Sequence, residues 1–467
     1  MADEINQPDA PSDLTPAAFA RVVAPDKAER FDRVDGFSLA LTSFLALAVY
    51  LYTMAPDVTL GDSGMFSTGS FYGGVVNPPG YPVWTIYSWV FTRILPFSNI
   101  AWRVSVGSAV AGALTSGIVA LTVSYGARIL MEDSAGFEQL TACQKRWLRM
   151  VCGYVAGMAL GLSGTVWRKA VIADVRTFSL LLFAAILCLA LRWMMEPGKR
   201  RFLCTGFFLS GLLLTDSQEM VVTLPGFVLI AALGDRNVGR DLALIVLPLI
   251  AISTTWNHFG VWTDFPRHWS WPLLTIFAAA SAFGLLLVVS TRLFGPRWKL
   301  ALLCQISFLL GSSLCLCLPA ISMTNPPVNW GYPRTVEGFS HVLARAQYER
   351  LFPTNDVGQY ADQLWVFVKM SGRELGWVYL LFAALPLCLI LQTSTRVRKW
   401  VFALLLMLVC VGPALLAEVN PSADRMSQEL TMYYFMPSFM ILSVLAGLGL
   451  VLSIRVMGPS QSVNVIS

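Results

Sequence analysis

Long apolar runs constrain the fold of this chain more than any other feature of its sequence. The hydrocarbon core of a bilayer is about 30 Å thick, which about 20 helical residues can cross. The backbone amides of a segment inside hydrocarbon must be hydrogen-bonded within the protein, so each run predicts a helix. The runs lie at about 36–55, 82–96, 104–127, 150–164, 177–195, 202–218, 220–234, 242–256, 271–291, 299–319, 376–392, 400–417 and 434–455.

Composition supports the same class. Of the 467 residues, 56% are apolar and 13% are charged, against about 25% charged residues in a typical soluble domain. A soluble protein needs a polar shell that this chain cannot supply, and so apolar a chain is not disordered. The net charge is only +5, with no basic stripe, which argues against nucleic acid as a partner. We therefore predict an all-α polytopic transmembrane bundle of about 12–13 membrane segments with external juxtamembrane helices.

Basic clusters recur at every second connection and indicate the cytoplasmic side. They are Arg192 with Lys199, Arg200 and Arg201; Arg236 with Arg240; Arg292 with Arg297 and Lys299; and Arg396 with Arg398 and Lys399. The connections at 257–270, 320–375 and 418–433 are then external. Both chain ends look cytoplasmic, so the number of crossings should be even. We expect 82–96, which carries a proline near each end, to dip into the membrane without crossing; 150–164 is the other candidate.

The loop after the first run holds two carboxylates close to the membrane surface, Asp57 and Asp62. Asp62 lies between two glycines, so a ligand can approach its backbone closely. Its carboxylate is suited to deprotonating a hydroxyl or holding a cation, and the alternative is a cap on a helix at 63–73. The proline-rich turn 77–82 follows, and such rigid backbone either lines a cavity or serves as a linker.

Several motifs together resemble one known family. The loop Gly61-Asp62-Ser63-Gly64 is followed by Pro78-Pro79-Gly80-Tyr81-Pro82 and then by Trp102-Arg103. Later matches are Trp167 with Ala170, Ala173 and Asp174-Val175, and Asn329-Trp330-Gly331 with Arg345, Gln347 and Tyr348. These segments resemble the protein O-mannosyltransferase-like family of the GT-C glycosyltransferase superfamily. The resemblance implies transfer of a mannose-like sugar from a polyprenyl phosphate to an acceptor hydroxyl on a protein, glycan or lipid at the external face.

The resemblance also has departures. The family pattern has Glu at position 65, His at 77, Glu-Val-Tyr at 174–176 and Asn-His at 216–217, where this chain has Met65, Asn77, Asp174-Val175-Arg176 and Asp216-Ser217. An acidic residue usually precedes Asn-Trp-Gly, and here Asn325-Pro326-Pro327 stands in its place. The protein-modifying relatives also carry a soluble C-terminal domain of helical repeats. These losses point to another substrate or to a member without catalysis.

The implied chemistry assigns roles to particular residues. Arg176 and Arg345 would hold the donor phosphate, since arginine binds phosphate through paired hydrogen bonds. Asp62 is our first candidate for the general base and Asp174 the second. The positions we assign to substrate binding are Asp57, Asn77, Tyr81, Arg103, Trp167, Arg176, Asn329, Trp330, Arg345 and Tyr348. No ligand set in the sequence demands a metal, although an oxygen-rich site suits magnesium or manganese.

Each of these groups has a structural alternative. Arg168, Lys169 and Arg176 are also suited to anchor at lipid headgroups, and Arg345 and Arg350 to form the solvated face of a helix at 335–350. His258, His268 and His341 are too far apart in sequence to suggest zinc. Tyr433 and Tyr434 resemble an interfacial aromatic belt. Asp216 and Glu219 lie between two apolar runs, where carboxylates are functional candidates or polar residues of an external turn.

The resemblance divides the chain into a disordered cytoplasmic tail (1–34), a GT-C-like transmembrane module with external catalytic loops (35–350), C-terminal transmembrane helices (351–456) and a cytoplasmic tail (457–467). No signal peptide precedes the first run, which favours a multi-pass protein of a bacterial plasma membrane, or of the endoplasmic reticulum in a eukaryote. Two other functions stay open. One is a transporter or flippase of a lipid-linked sugar, and the other is a catalytically silent membrane scaffold of the same fold.

Overall fold

The computed structural model describes residues 31–134, 136–244, 297–345, 347, 354, 356–390, 393–422 and 424–457. Most of these residues are helical, with one isolated parallel bridge between Val75 and Asn329. The helices are α1 Arg33–Thr53, α2 Ser63–Tyr72, α3 Pro82–Ile94, α4 Ile100–Asp133, α5 Ala142–Gly161, α6 Gly164–Ala170, α7 Arg176–Met195, α8 Arg200–Asp216, α9 Leu224–Gly234, α10 Trp298–Ser312, α11 Cys317–Met323, α12 Val336–Leu343, α13 Val357–Leu375, α14 Trp377–Cys388, α15 Thr395–Val409, α16 Leu415–Val419, α17 Arg425–Thr431 and α18 Met436–Met457.

The helices confirm a polytopic membrane protein. Within the described residues, six helical stretches are long and apolar enough to cross a bilayer: Arg33–Thr53, Ile100–Asp133, Arg176–Met195, Trp298–Met323, Thr395–Val419 and Arg425–Ile454. Helices α5 and α6 pass the same test together but are bent by 70° at their junction. They therefore form either a broken span or a re-entrant loop, and the predicted run 150–164 lies in this pair.

The run at 82–96 forms the 13-residue helix α3. At 1.5 Å per residue it is about 20 Å long, shorter than the hydrocarbon core, which fits the expectation that it dips into the membrane without crossing. The run at 376–392 contains the 12-residue helix α14. The predicted run 271–291 lies outside the described residues, and 242–256 lies almost wholly outside them.

Local sequence explains where the main helices begin and end. Asp32 and Asp35 form a capping box at the start of α1, and the Asn99 side chain accepts a hydrogen bond from the Trp102 amide at the start of α4. Proline opens α3, where the missing amide hydrogen costs nothing. Helix α2 ends at Gly73, whose φ of +63° is the left-handed conformation that glycine adopts without strain.

Small residues let α1, α4 and α5 pack closely. A side chain at Gly117 would place its Cβ 2.8 Å from the Leu39 carbonyl oxygen, and one at Gly153 would place its Cβ 2.6 Å from the Ala120 carbonyl oxygen. Glycine is therefore needed at both crossings. This close approach is typical of membrane helices, which gain little from apolar burial and associate by close van der Waals packing.

A buried network of ion pairs connects α1, α4 and α5 at one end of this bundle. The Arg149 guanidinium donates to Asp35 Oδ1 at 2.6 Å and to both Asp32 oxygens, at 2.9 and 3.0 Å. Arg128 lies 3.3 Å from Asp32, and Ser124 Oγ donates to Asp35 at 2.6 Å. Together these contacts tie the start of α1 to α4 and α5. Since Arg192 lies over Phe31 at 4.6 Å, a predicted cytoplasmic basic cluster reaches the same end.

Segments predicted to be external pack against one another around the proline turn. Val75 donates to the Val328 carbonyl and accepts from the Trp330 amide, each at 2.9 Å, so the loop before the proline turn is pinned to the segment before α12. The turn itself is buried, and a Cβ at Gly80 would lie 2.9 Å from Leu318. The proline-rich turn is therefore covered by protein, as its rigid backbone at membrane depth requires.

The helix predicted at 335–350 is shorter than expected. Thr335 caps it by accepting from the Gly338 amide at 3.0 Å, and the helix ends at Leu343. Arg345 follows in a left-handed conformation with φ of +53°, so the interpretation of Arg345 as part of a solvated helical face is wrong. Arg350 lies outside the described residues.

Candidate functional site

Arg176 is the first residue of α7 and lies against two tyrosines from the far end of the chain. Its guanidinium carbon is 4.8 Å from the centre of the Tyr434 ring and 5.5 Å from that of Tyr433. Lys169 Nζ is 4.3 Å from the Tyr433 ring. Cations over aromatic faces at these distances attract each other. The two tyrosines, predicted as an interfacial belt, thus help to form a basic and aromatic cluster.

Asp174 is held by several hydrogen bonds beside this cluster. Lys169 Nζ donates to its Oδ2 at 2.7 Å, and the Arg176 amide donates to its Oδ1 at 2.8 Å. Its own amide donates to Ser108 Oγ at 3.1 Å. The carboxylate is buried and its two oxygens are already occupied, so it fixes the start of α7 and the orientation of Lys169.

Arg345 reaches the same place from the segment after α12. Its guanidinium lies 3.7 Å from the Glu219 carboxylate, and the Gln218 side chain holds the preceding backbone by donating to the Leu343 carbonyl at 2.9 Å. Burial disfavours the charge of Arg345, but Glu219, Tyr434 and Tyr81 more than compensate, so its pKa is raised. A left-handed backbone at a bulky residue is uncommon and concentrates at functional sites.

Tyr81 completes the cluster from the proline turn. Its φ of +44° is also left-handed, and its ring lies edge-on to Phe66 at 5.6 Å. Burial raises the pKa of its hydroxyl, and the charges of Arg345 and Arg176 offset this only in part. The hydroxyl therefore stays protonated at neutral pH and is suited to donating a hydrogen bond.

A small, partly open pocket lies beside Arg345, whose partner Glu219 lines it. Its lining comes from the start of α7, the 3₁₀ turn after α8 and the start of α18. The lining residues are Arg176, Ser179, Leu180, Ser217, Glu219, Met220, Tyr433, Tyr434, Met436 and Pro437. Cationic, carboxylate, hydroxyl and aromatic groups thus meet in one concavity at the start of α7.

The acidic loop that carries Asp57 and Asp62 lies near this cluster. In the described part of the chain, neither carboxylate is among the residues that line the pocket. Asp62 is exposed at the start of α2, and its side chain makes no capping hydrogen bond there, so the capping interpretation is wrong. Asn77 Nδ2 approaches Asp62 Oδ2 at 3.5 Å. Asp57 is exposed, and its carboxylate accepts from the Val58 amide. Helix α2 connects Asp62 to the cluster through Phe66 and Tyr81.

Other predicted site residues have structural partners. Arg103 donates to the carbonyls of Phe97, Thr92 and Ser98, which organises the loop between α3 and α4. The Trp167 indole donates to Thr53 Oγ1 at 2.9 Å. Asn329 Nδ2 donates to the Ser322 carbonyl at 3.1 Å, and the half-exposed Trp330 indole bonds to Gln347. Tyr348 lies outside the described residues.

Asp216 and Glu219 have different roles in the structure. Asp216 is buried, and its Oδ2 accepts from the Trp84 amide at 2.9 Å, so it caps the first turn of α3. Its neighbour Ser217 donates to Ser179 Oγ at 2.8 Å. Glu219 instead lines the pocket. Glu418, a partly buried carboxylate that sequence reasoning missed, lies within electrostatic reach of Glu219.

Histidine and metal-ligand clusters do not define this site. In the parts of the chain that the structure describes, no group of three His, Cys, Asp or Glu side chains is arranged to hold a metal ion. His341 lies in α12, while His258 and His268 fall outside the described residues. The chemistry of the pocket therefore has to be considered from its arginines, tyrosines and carboxylates.

Comparison with known proteins gives matches over the first part of the chain. A family model described as the protein O-mannosyl-transferase TMEM260 N-terminal domain matches residues 62–238. A stretch of 77 residues, 16% of this chain, is 35% identical to "Protein O-mannosyl-transferase tmem260" of Dictyostelium discoideum, of which it covers 9%. A stretch of 99 residues, 20% of this chain, is 31% identical to "Protein O-mannosyl-transferase TMEM260" of Mus musculus, of which it covers 14%.

These matches support a relationship to an O-mannosyltransferase-like family. They cover a small part of each relative, so the whole activity of those proteins does not transfer with the match. The matched segment begins at Asp62 and includes Tyr81, Arg176 and Glu219, but it ends before Arg345. The pocket thus combines residues of the matched segment with residues from the remainder of this chain.

Proposed function

We propose that this chain is a membrane glycosyltransferase that moves a mannose-like sugar from a polyprenyl-phosphate donor to an acceptor hydroxyl on a protein, glycan or lipid. One observation carries the proposal. Arg176 and Arg345 are 169 positions apart in sequence, yet Arg176 lines the pocket and Arg345 lies 3.7 Å from Glu219, which lines the same pocket. The relationship to an O-mannosyltransferase-like family supports the same reaction.

The charge of the pocket suits the donor phosphate. Two guanidiniums can each give paired hydrogen bonds to phosphate oxygens and stabilise the negative charge that builds up on the leaving group. The site lies where the apolar helix α7 begins, so a polyprenyl tail would extend along the bundle while the phosphate stays near the surface. The tyrosine rings of Tyr433 and Tyr434 offer apolar faces to a sugar ring.

Asp62 and Asp174 are the bases proposed from sequence. Asp62 is exposed at the start of α2 and makes no capping hydrogen bond there, which leaves its carboxylate accessible to an acceptor from the external side. Asp174 would more readily orient Lys169 and Arg176, since both its oxygens already accept hydrogen bonds. Dependence on magnesium or manganese is tested by adding a chelator to the assay below.

A silent member of the family is the second candidate, favoured by the fate of two changed positions. Asp216 caps α3 through Oδ2, and Ser217 bonds to Ser179, so both side chains contribute to the packing of α3, α7 and α8. We place the external face in the periplasm of a bacterial plasma membrane, with the N-terminus cytoplasmic. The alternative is the lumen of the endoplasmic reticulum, with which the eukaryotic relatives are consistent.

A transfer assay tests these proposals. Purified full-length protein in lipid vesicles is mixed with radiolabelled polyprenyl-phosphate mannose, and label moved to a serine- and threonine-rich peptide or released to water is counted. Transfer by the parent and its loss in Arg345→Gln would support the glycosyltransferase. Donor binding without turnover would instead support the silent scaffold. Movement of intact donor across the vesicle membrane without cleavage would support a flippase.

A further inference from the structure

We propose that Glu219 is the group that takes the proton of the acceptor hydroxyl, and that donor phosphate releases it by displacing it from Arg345. This inference rests on the proposed glycosyl transfer and identifies a catalytic residue for it. Glu219 lies outside the motifs that suggested the family, and it follows two of the changed positions, Asp216 and Ser217.

Position favours Glu219 over the other carboxylates. A general base must reach the hydroxyl that attacks the anomeric carbon, and that carbon is bonded to the phosphate. Glu219 is the carboxylate in the described pocket lining, and it lies 3.7 Å from an arginine proposed to hold the phosphate. Asp62 is exposed, and its carboxylate accepts a long hydrogen bond from Asn77 Nδ2 at 3.5 Å. Both oxygens of Asp174 already accept hydrogen bonds.

The contact between Glu219 and Arg345 is suited to exchange. At 3.7 Å it is an ion pair without a close hydrogen bond, and neither side chain is fully buried, with 24% of Arg345 and 17% of Glu219 exposed. A phosphate offers the guanidinium two oxygens in bidentate geometry, which is a stronger partner. Once Arg345 turns to the phosphate, the Glu219 carboxylate is free to accept a proton.

Several charged or titratable side chains surround Glu219. Arg345 faces Glu219 directly, and further charged or titratable side chains act on it from the surrounding elements. These side chains are Arg176 of α7, Tyr81 before α3 and Glu418 of α16. Hydrogen bonds among Thr354, Gln363 and Asn420 fix the end of α16 that carries Glu418.

The step balances as a single displacement. The acceptor oxygen forms a bond to the anomeric carbon while its proton passes to Glu219. The bond between that carbon and the phosphate oxygen breaks, and its electron pair stays on the phosphate, which Arg345 and Arg176 hold. The products are an inverted glycoside, polyprenyl phosphate and a protonated Glu219 that returns its proton to water.

The test compares Glu219→Gln with the parent in vesicles that contain polyprenyl-phosphate mannose, with water as the acceptor. Loss of a general base typically lowers turnover by about 10²–10⁴-fold. We expect a loss in that range, with donor binding equal to or tighter than that of the parent because Arg345 loses its internal competitor. Glu337→Gln, the same substitution at an exposed carboxylate in α12, should keep parental turnover.

Reaction with azide and the pH dependence of the rate distinguish a general base from a residue that only supports the structure. Azide is already an anion and needs no base, so Glu219→Gln with sodium azide should form mannosyl azide from the donor. The decline in parental rate at acid pH should be absent in this variant. Glu219→Asp keeps a carboxylate, so it should retain that decline at lower turnover, and it serves as the test variant if Glu219→Gln does not fold.

Each contrary result has a distinct meaning. Parental turnover within threefold in Glu219→Gln, with loss in Asp62→Asn, would overturn the assignment of Glu219 and leave the glycosyltransferase intact. Loss of turnover in Glu219→Gln without any azide product would also overturn it and make the ion pair structural. A folded parent that turns over no donor would overturn both proposals.

Discussion

Replacement of Asp35 tests whether the buried ionic network holds the transmembrane bundle together. Asp35 is fully buried and accepts from Arg149 at 2.6 Å, from Ser124 at 2.6 Å and from the Asp32 amide at 3.0 Å. Asp35→Asn keeps the shape but removes the charge. Breaking one partner from a buried pair typically costs about 3–5 kcal/mol, since the other charge stays buried.

The expected cost lies at the lower end of this range, about 3 kcal/mol. The reason is that Arg149 keeps two hydrogen bonds to Asp32 at 2.9 and 3.0 Å. Arg149→Met should cost more, because it leaves Asp35 buried with Arg128 at 3.9 Å as its remaining ionic partner. The double variant should be less destabilised than the sum of the two, because each single change already removes the shared contact.

Unfolding in mixed micelles titrated with SDS and followed by tryptophan fluorescence measures these differences, and the chain has 15 tryptophans. Asp362→Asn, at an exposed position in α13, is the matched control and should leave the free energy of unfolding unchanged. A loss below about 1 kcal/mol for Asp35→Asn, within the range of a surface pair, would refute the reasoning. If the losses of unfolding free energy in the two single variants add up to the loss in the double variant, the coupling between Asp35 and Arg149 would be refuted.

Three further outcomes follow from the structure. Arg345→Lys should weaken donor binding by about tenfold, since lysine lacks the bidentate guanidinium; equilibrium binding of labelled donor measures this, and unchanged affinity would remove Arg345 from the phosphate site. Gly153→Leu should destabilise the protein by about 1–3 kcal/mol by forcing α4 and α5 apart, and an unchanged SDS midpoint would contradict the close crossing. Burial works against ionisation of Asp32, but Arg149 and Arg128 lower its pKa from 3.8 to about 2. Between these two pH values the unfolded state therefore binds more protons than the folded state. The stability that the ionised Asp32 contributes is thus present above about pH 4 and is lost as the pH falls towards 2. Asp32→Asn should flatten that part of the profile of unfolding free energy against pH, and an unaltered profile would contradict this prediction.

Prediction from sequence worked best for the membrane helices, because apolar length is a local property. The predicted runs 36–55, 104–127 and 177–195 correspond to α1, α4 and α7, with ends that differ by a few residues. It worked less well where length and pattern were marginal. The helix expected at 335–350 ends at Leu343.

The sequence predicted some residues of the site and missed others, and the reason differs from the one that applies to the helices. Residue type identified arginines suited to phosphate, but no local pattern shows which arginines meet. Arg103 and Arg345 look alike in sequence, yet Arg103 binds three carbonyls of its own loop while Arg345 reaches the pocket. Glu418 gave no signal, because it lies at the end of an apolar run with no neighbouring motif.

By itself, the sequence determined an all-α membrane protein and the position of its main apolar helices. The physical reason is that the cost of placing polar groups in hydrocarbon depends on short stretches of residues. Only the tertiary structure decided that Arg176 and Glu219 line one pocket, that Arg345 pairs with Glu219 there, and that Tyr81 lies within electrostatic reach of all three. That meeting depends on helix packing across long sequence separations and on the left-handed backbone at two of these residues, neither of which a local pattern encodes.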